Sequence, residues 1–310
     1  MSAEPADRAA ATFESTRPLL FAVAYRMLGS VMDAEDILQE AYLRWQEAPD
    51  HDVRSPQAYL TTIVTRLAIN QLRSARHRRE TYVGPWLPEP LVTDHAPDPS
   101  GHLELAESLS MGFLVLLERL SPVERAVFLL HEVFELDYAQ IAGIVGKSEV
   151  NCRQLLARAK QRLGEPVARF SADPAQADRL MERFTTAAES GDMEGLLDVL
   201  AEDITVWADG GGKVRGAALR PVRGATAAAR FILGVLRRFV PADRALERRW
   251  INGAPGLLIR VGGRPLAALA VEIRDGHIRG IYTVGNPDKL KALDAPEGAA
   301  TRPTPTAPPG

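Results

Sequence analysis

The 310-residue sequence predicts a multi-domain protein, two all-α domains followed by an α+β domain. Three observations carry that fold class. Over residues 8–80 and again over 102–165, apolar side chains recur at the spacing of helices that bury one stripe. Between them, residues 81–101 hold Gly84, Pro85, Pro88, Pro90, Pro97, Pro99 and Gly101, which no helix or central strand tolerates. From residue 172 to 294 helical stretches give way to alternation, and Asn252-Gly253, Gly262-Gly263 and Asp275-Gly276 each sit between apolar or alternating runs as hairpin signals.

Within the first domain the helical pattern breaks at Gly29-Ser30 and at Pro49-Asp50. The linker 81–101 contains Tyr82, Trp86, Leu87 and Leu91, too apolar for a merely solvated segment, so it is expected to lie on a protein surface. In the third domain, residues 174–190, 193–200 and 224–240 read as amphipathic helices. Leu246–Ile251, Leu257–Val261, Leu266–Ile273 and His277–Val284 read as strands of a meandering antiparallel sheet, and Ile204–Trp207 as a further strand. The tail 295–310, rich in Pro, Thr and Ala, is expected to be disordered.

Composition excludes several classes. Apolar content of 46% and charged content of 25% fit folded globular domains. A net charge of −3 advertises no global affinity for nucleic acid, so any DNA contact must come from local patches. The single Cys152 forbids an internal disulfide, is too little for a Cys-based zinc site, and reads as a buried small hydrophobe. No apolar run is long enough to span a membrane, and the charged stretch Glu4–Arg8 lacks a signal core, so a cytoplasmic protein is expected. No catalytic residue, metal or cofactor is expected.

The stretch Asp33–Trp45 is the most informative. Ala34, Ile37, Leu38, Ala41 and Trp45 form one stripe, while Asp33, Asp36 and Glu40 gather on another face. That face is either a solvated side of a core helix or a dock for a basic partner. The helix that follows, from about Ser55, ends in the basic cluster Arg73, Arg76, His77, Arg78, Arg79. The pattern Asp33-Ala34-Glu35-Asp36-x-x-Gln39-Glu40-x-x-x-x-Trp45 resembles the acidic helix of region 2 in bacterial RNA polymerase sigma factors. The resemblance implies docking of Asp33, Asp36, Gln39, Glu40 and Trp45 on the clamp helices of core RNA polymerase. Ser55–Arg73 is similar to the segment that captures the −10 promoter element, which implies that Arg66, Asn70, Arg73 and Arg76 serve DNA; Asn70 stands where the family usually carries Asp.

Residues 118–163 carry a helix-turn-helix pattern. A short helix from Leu136 ends at Gly146, a C′ glycine, and Ser148 is a good N-cap for the next helix. There Cys152, Leu155, Leu156, Ala159 and Leu163 face inward, and Asn151, Gln154, Arg158 and Arg162 cluster outward. The outward face can meet bases and phosphates; a plain helical hairpin is the alternative. Leu117–Leu163, with Leu120-Ser121-Pro122-x-x-Arg125, resembles sigma region 4. This implies −35 element contacts by Ser148, Asn151, Gln154 and Arg158. Gln140 and Gln154-Leu155 depart from the usual Glu and Ser-Arg of that region. Regions 2 and 4 without a long region between them resemble the extracytoplasmic-function class.

Three further motifs, Trp86-Leu87-Pro88-Glu89-Pro90, Asp209-Gly210-Gly211-Gly212-Lys213 and Asn286-Pro287-Asp288-Lys289-Leu290, together resemble the subgroup with a SnoaL-like C-terminal extension, a cone-shaped relative of nuclear transport factor 2. Three successive glycines exceed what a two-residue turn requires and let backbone approach a partner closely. They are either a wide hairpin loop or, as the resemblance implies, part of a regulatory contact on the sigma core or linker. Asn286-Pro287-Asp288 is likewise either a chain-reversing cap or part of that contact, with Trp86, Pro88, Asp209 and Lys213. The resemblance further implies regulation in cis without a separate anti-sigma factor. The competing readings are a small-ligand pocket in the cone, or cyclase or isomerase chemistry at Asp209, His277 or Asp203.

Overall fold

The computed structural model describes residues 5–47, 55–93, 109–164 and 174–294. The break expected at Pro49-Asp50, the linker beyond Thr93 and the tail 295–310 lie outside them. The chain forms two compact units: one of residues up to Arg78 with Leu116–Pro166, the other of Arg79–Val115 with Val167–Ala299.

In the first unit, α1 (Pro5–Leu28) ends at Gly29, whose φ of 66° turns the chain into α2 (Val31–Gln46). Ser30 caps α2 by accepting from the Asp33 amide, and Ala34, Ile37, Leu38 and Ala41 are buried. The long α3 (Pro56–Glu80) follows. α4 (Met111–Leu117) begins among the residues of the second unit and ends in those of the first, whose second helical part runs on through α5 (Pro122–Glu132), α6 (Tyr138–Val145) and α7 (Glu149–Leu163). Capping boxes at Ser121/Glu124 and Asp137/Gln140 fix the starts of α5 and α6, so α6 begins at Tyr138 rather than Leu136. Gly146, φ 66°, closes α6 and Ser148 opens α7, as the helix-turn-helix reading requires. The seam is filled by Val127, Leu130, Ile141, Ile144, Cys152 and Leu156.

The second unit adds α8 (Pro174–Ser190), α9 (Met193–Val199) and α10 (Ala225–Phe239) to one face of a seven-stranded sheet. Its strands are β1 (Val92–Thr93), β2 (Leu200–Asp209), β3 (Val222–Arg223), β4 (Ala245–Ile251), β5 (Ala254–Val261), β6 (Arg264–Arg274) and β7 (His277–Val284), in the order β1-β4-β5-β6-β7-β2-β3. The three predicted hairpins form, with Asn252 and Asp275 at φ 53° and Gly262 at φ 56° supplying the left-handed first turn residue. Helices and sheet make the expected α+β domain.

Two features go beyond the sequence reading. β4 to β7 form the expected antiparallel meander, and β2, read apart from it, pairs in parallel with β7. β3 lines one side of β2, and the chain runs on through α10 and β4 to β6 before β7 takes the other side; nothing in a strand's own period names its neighbour. The proline-rich segment lies on a protein surface where it is described, as its apolar residues require. Val92 and Thr93 pair with Ile251 and Trp250 as an edge strand, the one place in a sheet where nearby prolines cost little.

The sheet is therefore covered on both faces. Leu257, Val271, Ile273 and Ile281 pack against helical Leu180, Met181, Phe184 and Leu196. Leu258, Ala268, Ala270, Tyr282 and Val284 on the opposite face pack against Leu87, Met111 and, from the short α11 (Pro287–Leu290), Leu290.

Candidate polymerase and promoter surfaces and a linker clamp

On α2 the acidic residues divide. Asp36, Gln39 and Glu40 are exposed, whereas Asp33 is half-buried and accepts a 3.2 Å hydrogen bond from Gln71 of α3. Trp45 is also half-buried, its Nε1 donating to the Ala9 carbonyl at 2.9 Å and its ring 5.9 Å from Tyr59. Met32 and Leu43, 52% and 60% exposed, lie a turn before Asp36 and a turn after Gln39. Carboxylates interleaved with large exposed apolar side chains suit a protein partner better than bulk water.

Arg66, Asn70 and Arg73 share an exposed face of α3 at i, i+4 and i+7. Arg76 lies further along α3, and its side chain is outside the described ones. Arg66 is occupied: its Nε donates to the Ile144 carbonyl at 2.8 Å and its Nη2 to Gly143 at 2.9 Å, satisfying the open C-terminal end of α6. Arg125 fastens the same unit. It is 3% exposed and donates to the Met27 carbonyl at 2.7 Å, to Leu117 at 3.1 Å and to Glu118 at 2.7 Å. Burial pushes Arg26 down to about 9, with its guanidinium 5.6 Å from the Phe134 ring. Sequence reasoning missed these arginine contacts, since their acceptors are largely main-chain carbonyls.

Ser148 does its capping work, accepting from the Asn151 amide at 3.3 Å. Gln154 and Arg158 are exposed and Asn151 half-buried, on the outer edge of α7. Arg162 is tied to Glu124 at 2.7 Å. Burial works against ionisation of Glu124, but the Ser121 hydroxyl and amide together with Arg162 outweigh it and hold that carboxyl below its usual range.

The densest polar site belongs to the second unit. Asp209, 1% exposed at the end of β2, receives four donors. Its Oδ1 accepts from the Tyr82 hydroxyl at 2.6 Å and the Gly211 amide at 3.1 Å; its Oδ2 accepts from the Leu87 amide at 2.8 Å and Lys289 Nζ at 2.6 Å. Lys289 also donates to the Leu87 carbonyl and stands 4.2 Å from the Trp86 ring centroid and 5.0 Å from that of Tyr82. Desolvation of this ion pair is offset by a filled set of hydrogen bonds and two ring faces. Burial, then the hydrogen bond to Asp209, raises the Tyr82 phenol far above its ordinary value.

The motifs singled out in the sequence meet here. Asn286 donates to the Tyr82 oxygen at 2.7 Å and caps Asp288 at 3.1 Å, so cap and contact are one device. Lys213 pairs with exposed Asp288 rather than with Asp209. Pro88 is buried beside Leu87, and Pro287 is exposed. A β-carbon on Gly211 would overlap the Asn286 amide; one on Gly212 would stand 3.1 Å from Val83 Cβ, and one on Gly210 2.6 Å from Ala217 Cβ. A second anchor is Asn252, whose Oδ1 accepts from Leu91 and whose Nδ2 donates to Leu109, both at 3.0 Å. A third is Gly112, against the hydroxyl of Tyr282, which donates to Glu272 at 3.1 Å. Tyr82, Lys289 and Asn252 were not picked as site residues from sequence.

The three residues considered for chemistry are not all brought together. Asp203 and His277 line a shallow open groove of about 560 Å³ with Arg279, which pairs with Asp203 at 2.9 Å. Asp209 is six residues further along β2, about 20 Å at strand rise. His277 is exposed, with Nδ1 3.0 Å from the Asp275 carbonyl oxygen.

A helix with an exposed acidic face, a helix with a basic one, and a helix-turn-helix are the parts of which a sigma subunit of RNA polymerase is built. Residues 12–78 match sigma-70 region 2 and residues 110–163 match sigma-70 region 4. The chain belongs to the extracytoplasmic-function (ECF) RNA polymerase sigma factors. It is 41% identical over 288 residues to ECF RNA polymerase sigma factor SigJ of Mycobacterium tuberculosis, covering 90% of this chain and 92% of that one. It is 31% identical over 299 residues to a probable ECF RNA polymerase sigma factor, SigI, of the same species, covering 94% and 98%. The crystal structure of M. tuberculosis SigJ superposes with a TM-score of 0.73 at 36% identity, over 93% of this chain and 99% of that one. The protein is thus an alternative transcription initiation factor that binds core RNA polymerase and promoter DNA. Among the described residues no helix is long and apolar enough to cross a membrane, and no group of three His, Cys, Asp or Glu is placed to hold a metal ion.

Proposed function

We propose that the C-terminal domain regulates this sigma factor in cis by holding the segment that connects regions 2 and 4, doing the work of a separate anti-sigma protein. The observation that carries the reading is the Asp209 carboxylate, which grips that segment at Tyr82 and Leu87. The −10 and −35 elements lie about 25 base pairs apart, on the order of 85 Å of duplex. Residues 81–110, between α3 and α4, span roughly 100 Å when fully extended. Holding 82–92 on the sheet leaves 93–110, about 60 Å at full stretch. Within the first unit, Arg66 on the carbonyls of α6 keeps the two DNA-reading parts together. Promoter engagement therefore requires both contacts to open, and Arg66 serves DNA only after release.

Docking on core polymerase is assigned to Asp36, Gln39 and Glu40 with Met32 and Leu43; Asp33 and Trp45 hold α2 in place for it. The Asp36→Arg, Glu40→Arg variant should bind core polymerase at least tenfold more weakly, since like charges now face the partner's basic surface. Undiminished affinity in a direct binding titration would remove the docking role. On α7, Arg158 is assigned to a phosphate and Gln154 and Asn151 to base edges. Arg158→Ala should weaken promoter binding on all sequences and reduce its salt slope by about 1 without altering −35 preference. A changed base preference in a selection from randomised −35 sequences would reassign it.

A further inference from the structure

We infer that the C-terminal domain also grips duplex DNA, through an arginine surface formed by α10 and the loop between β2 and β3. Residues 210–242 carry seven Lys or Arg and no Asp or Glu, in a protein whose net charge is −3. Lys213 is taken by Asp288. The other six, Arg215, Arg220, Arg223, Arg230, Arg237 and Arg238, are exposed, and none makes a hydrogen bond or ion pair among the described residues.

The fold gathers them. Gly216, φ 90°, lies so close to the Phe239 ring that a β-carbon would stand 2.6 Å from Cδ2. This holds the loop carrying Arg215 beside the end of α10 that carries Arg237 and Arg238. Arg230 lies on the same face as Arg237, two turns back and about 10 Å away along the axis, close to three base-pair rises. Arg220 and Arg223 continue the surface through β3 toward the start of α10. Leu219 and Phe239, 69% and 45% exposed, sit among the arginines.

A solvated charge run is ordinarily mixed in sign, and this one is not. A run of the opposite sign lies elsewhere in the domain: residues 189–203 carry Glu189, Asp192, Glu194, Asp198, Glu202 and Asp203 and no Lys or Arg. Unscreened like charges cost stability through self-repulsion, a cost a polyanion removes on binding. The polyanion at hand is the promoter duplex, so the inference rests on the sigma-factor reading. The contact is with phosphates, which adds affinity and no sequence preference.

The test uses the full chain with Arg215→Gln, Arg220→Gln, Arg237→Gln and Arg238→Gln combined; all four sites are exposed, and circular dichroism with thermal melting checks the fold. The ligand is a mixed-sequence duplex of about 40 base pairs, titrated by fluorescence anisotropy from roughly 50 to 200 mM salt. The variant should bind on the order of tenfold more weakly at low salt, with a slope of log K against log salt shallower by about 2 to 4. Core polymerase binding should be unchanged. Equal affinity and parallel slopes overturn the proposal. So does weakened binding to core polymerase, or an equal loss on a polyaspartate probe, either of which makes the surface a dock for acidic protein. Should the parent chain fail to bind core polymerase, the sigma-factor reading falls, and the duplex titration still decides whether the arginine surface holds DNA.

Discussion

Asp209→Ala should destabilise the C-terminal domain by about 3–5 kcal/mol and free the segment from Tyr82 to Leu91. The effect is large because the substitution removes four acceptor contacts at once and orphans what they served. Lys289, 9% exposed, is left as a buried cation that has lost its carboxylate, and the Leu87 amide loses its acceptor. Breaking one half of a buried pair costs far more than the pair's net worth, because the remaining charge keeps its desolvation penalty. The double variant Asp209→Ala, Lys289→Met should therefore recover part of the loss, a coupling that independent surface sites do not show. Urea unfolding reads the stability, and limited proteolysis within residues 81–93 reads the release. A loss below about 1 kcal/mol with unchanged proteolysis would show that the carboxylate is not the keystone.

Alkaline pH offers a second view of the same site. The Tyr82 phenol is raised in the folded state, so its contribution is complete below the ordinary phenol value near 10 and is lost as pH rises above it. Tyr282 is raised as well, by burial and then by Glu272, so the slope assigned to Tyr82 is the part that Tyr82→Phe removes.

Much of this fold was legible because local chemistry decides it. Gly146, Ser148, Asn252-Gly253 and Asp275-Gly276 are positions where one backbone conformation has few rivals, and all four signals match the observed caps and turns. Helix faces were legible for the same reason: Ala34, Ile37, Leu38 and Ala41 announce a stripe by spacing alone. Partners were not. Asp209 was singled out beside the glycines, but its ligands come from residues 127, 122 and 80 positions away, and no period records such distances. Arg66 looked like a DNA residue by position, and the carbonyls it holds are invisible in a sequence of side chains. The two-residue strands β1 and β3 are too short to show alternation. The linker 81–101 reads as apolar enough to need a surface; that the surface of its described part is the sheet of the C-terminal domain follows only from Leu87 and Asn252.

Gly211→Ala separates a turn from a clamp, and it should cost about 2–4 kcal/mol, built from two independent terms. Gly211 sits at φ 56°, where a β-carbon costs about 1–2 kcal/mol by local sterics alone. That β-carbon would also overlap the Asn286 amide and stand 3.0 Å from the Tyr82 hydroxyl, and relieving such overpacking typically costs a further 1–3 kcal/mol. Gly263 supplies the control: it has φ 78°, but a β-carbon there meets nothing within 4 Å. Gly263→Ala should therefore carry only the steric term. Tethering holds the linker and its site at roughly millimolar effective concentration, so the clamp closes on weak contacts and opens when they weaken modestly. A loss of about 2–4 kcal/mol shifts that equilibrium by more than tenfold toward the open linker. In vitro transcription with core polymerase should accordingly rise for Gly211→Ala, on the order of tenfold where the closed form dominates the parent, and stay at the parent level for Gly263→Ala. If the two variants lose equal stability and transcribe alike, the glycine loop is a turn with strained backbone, and control of the linker must reside elsewhere.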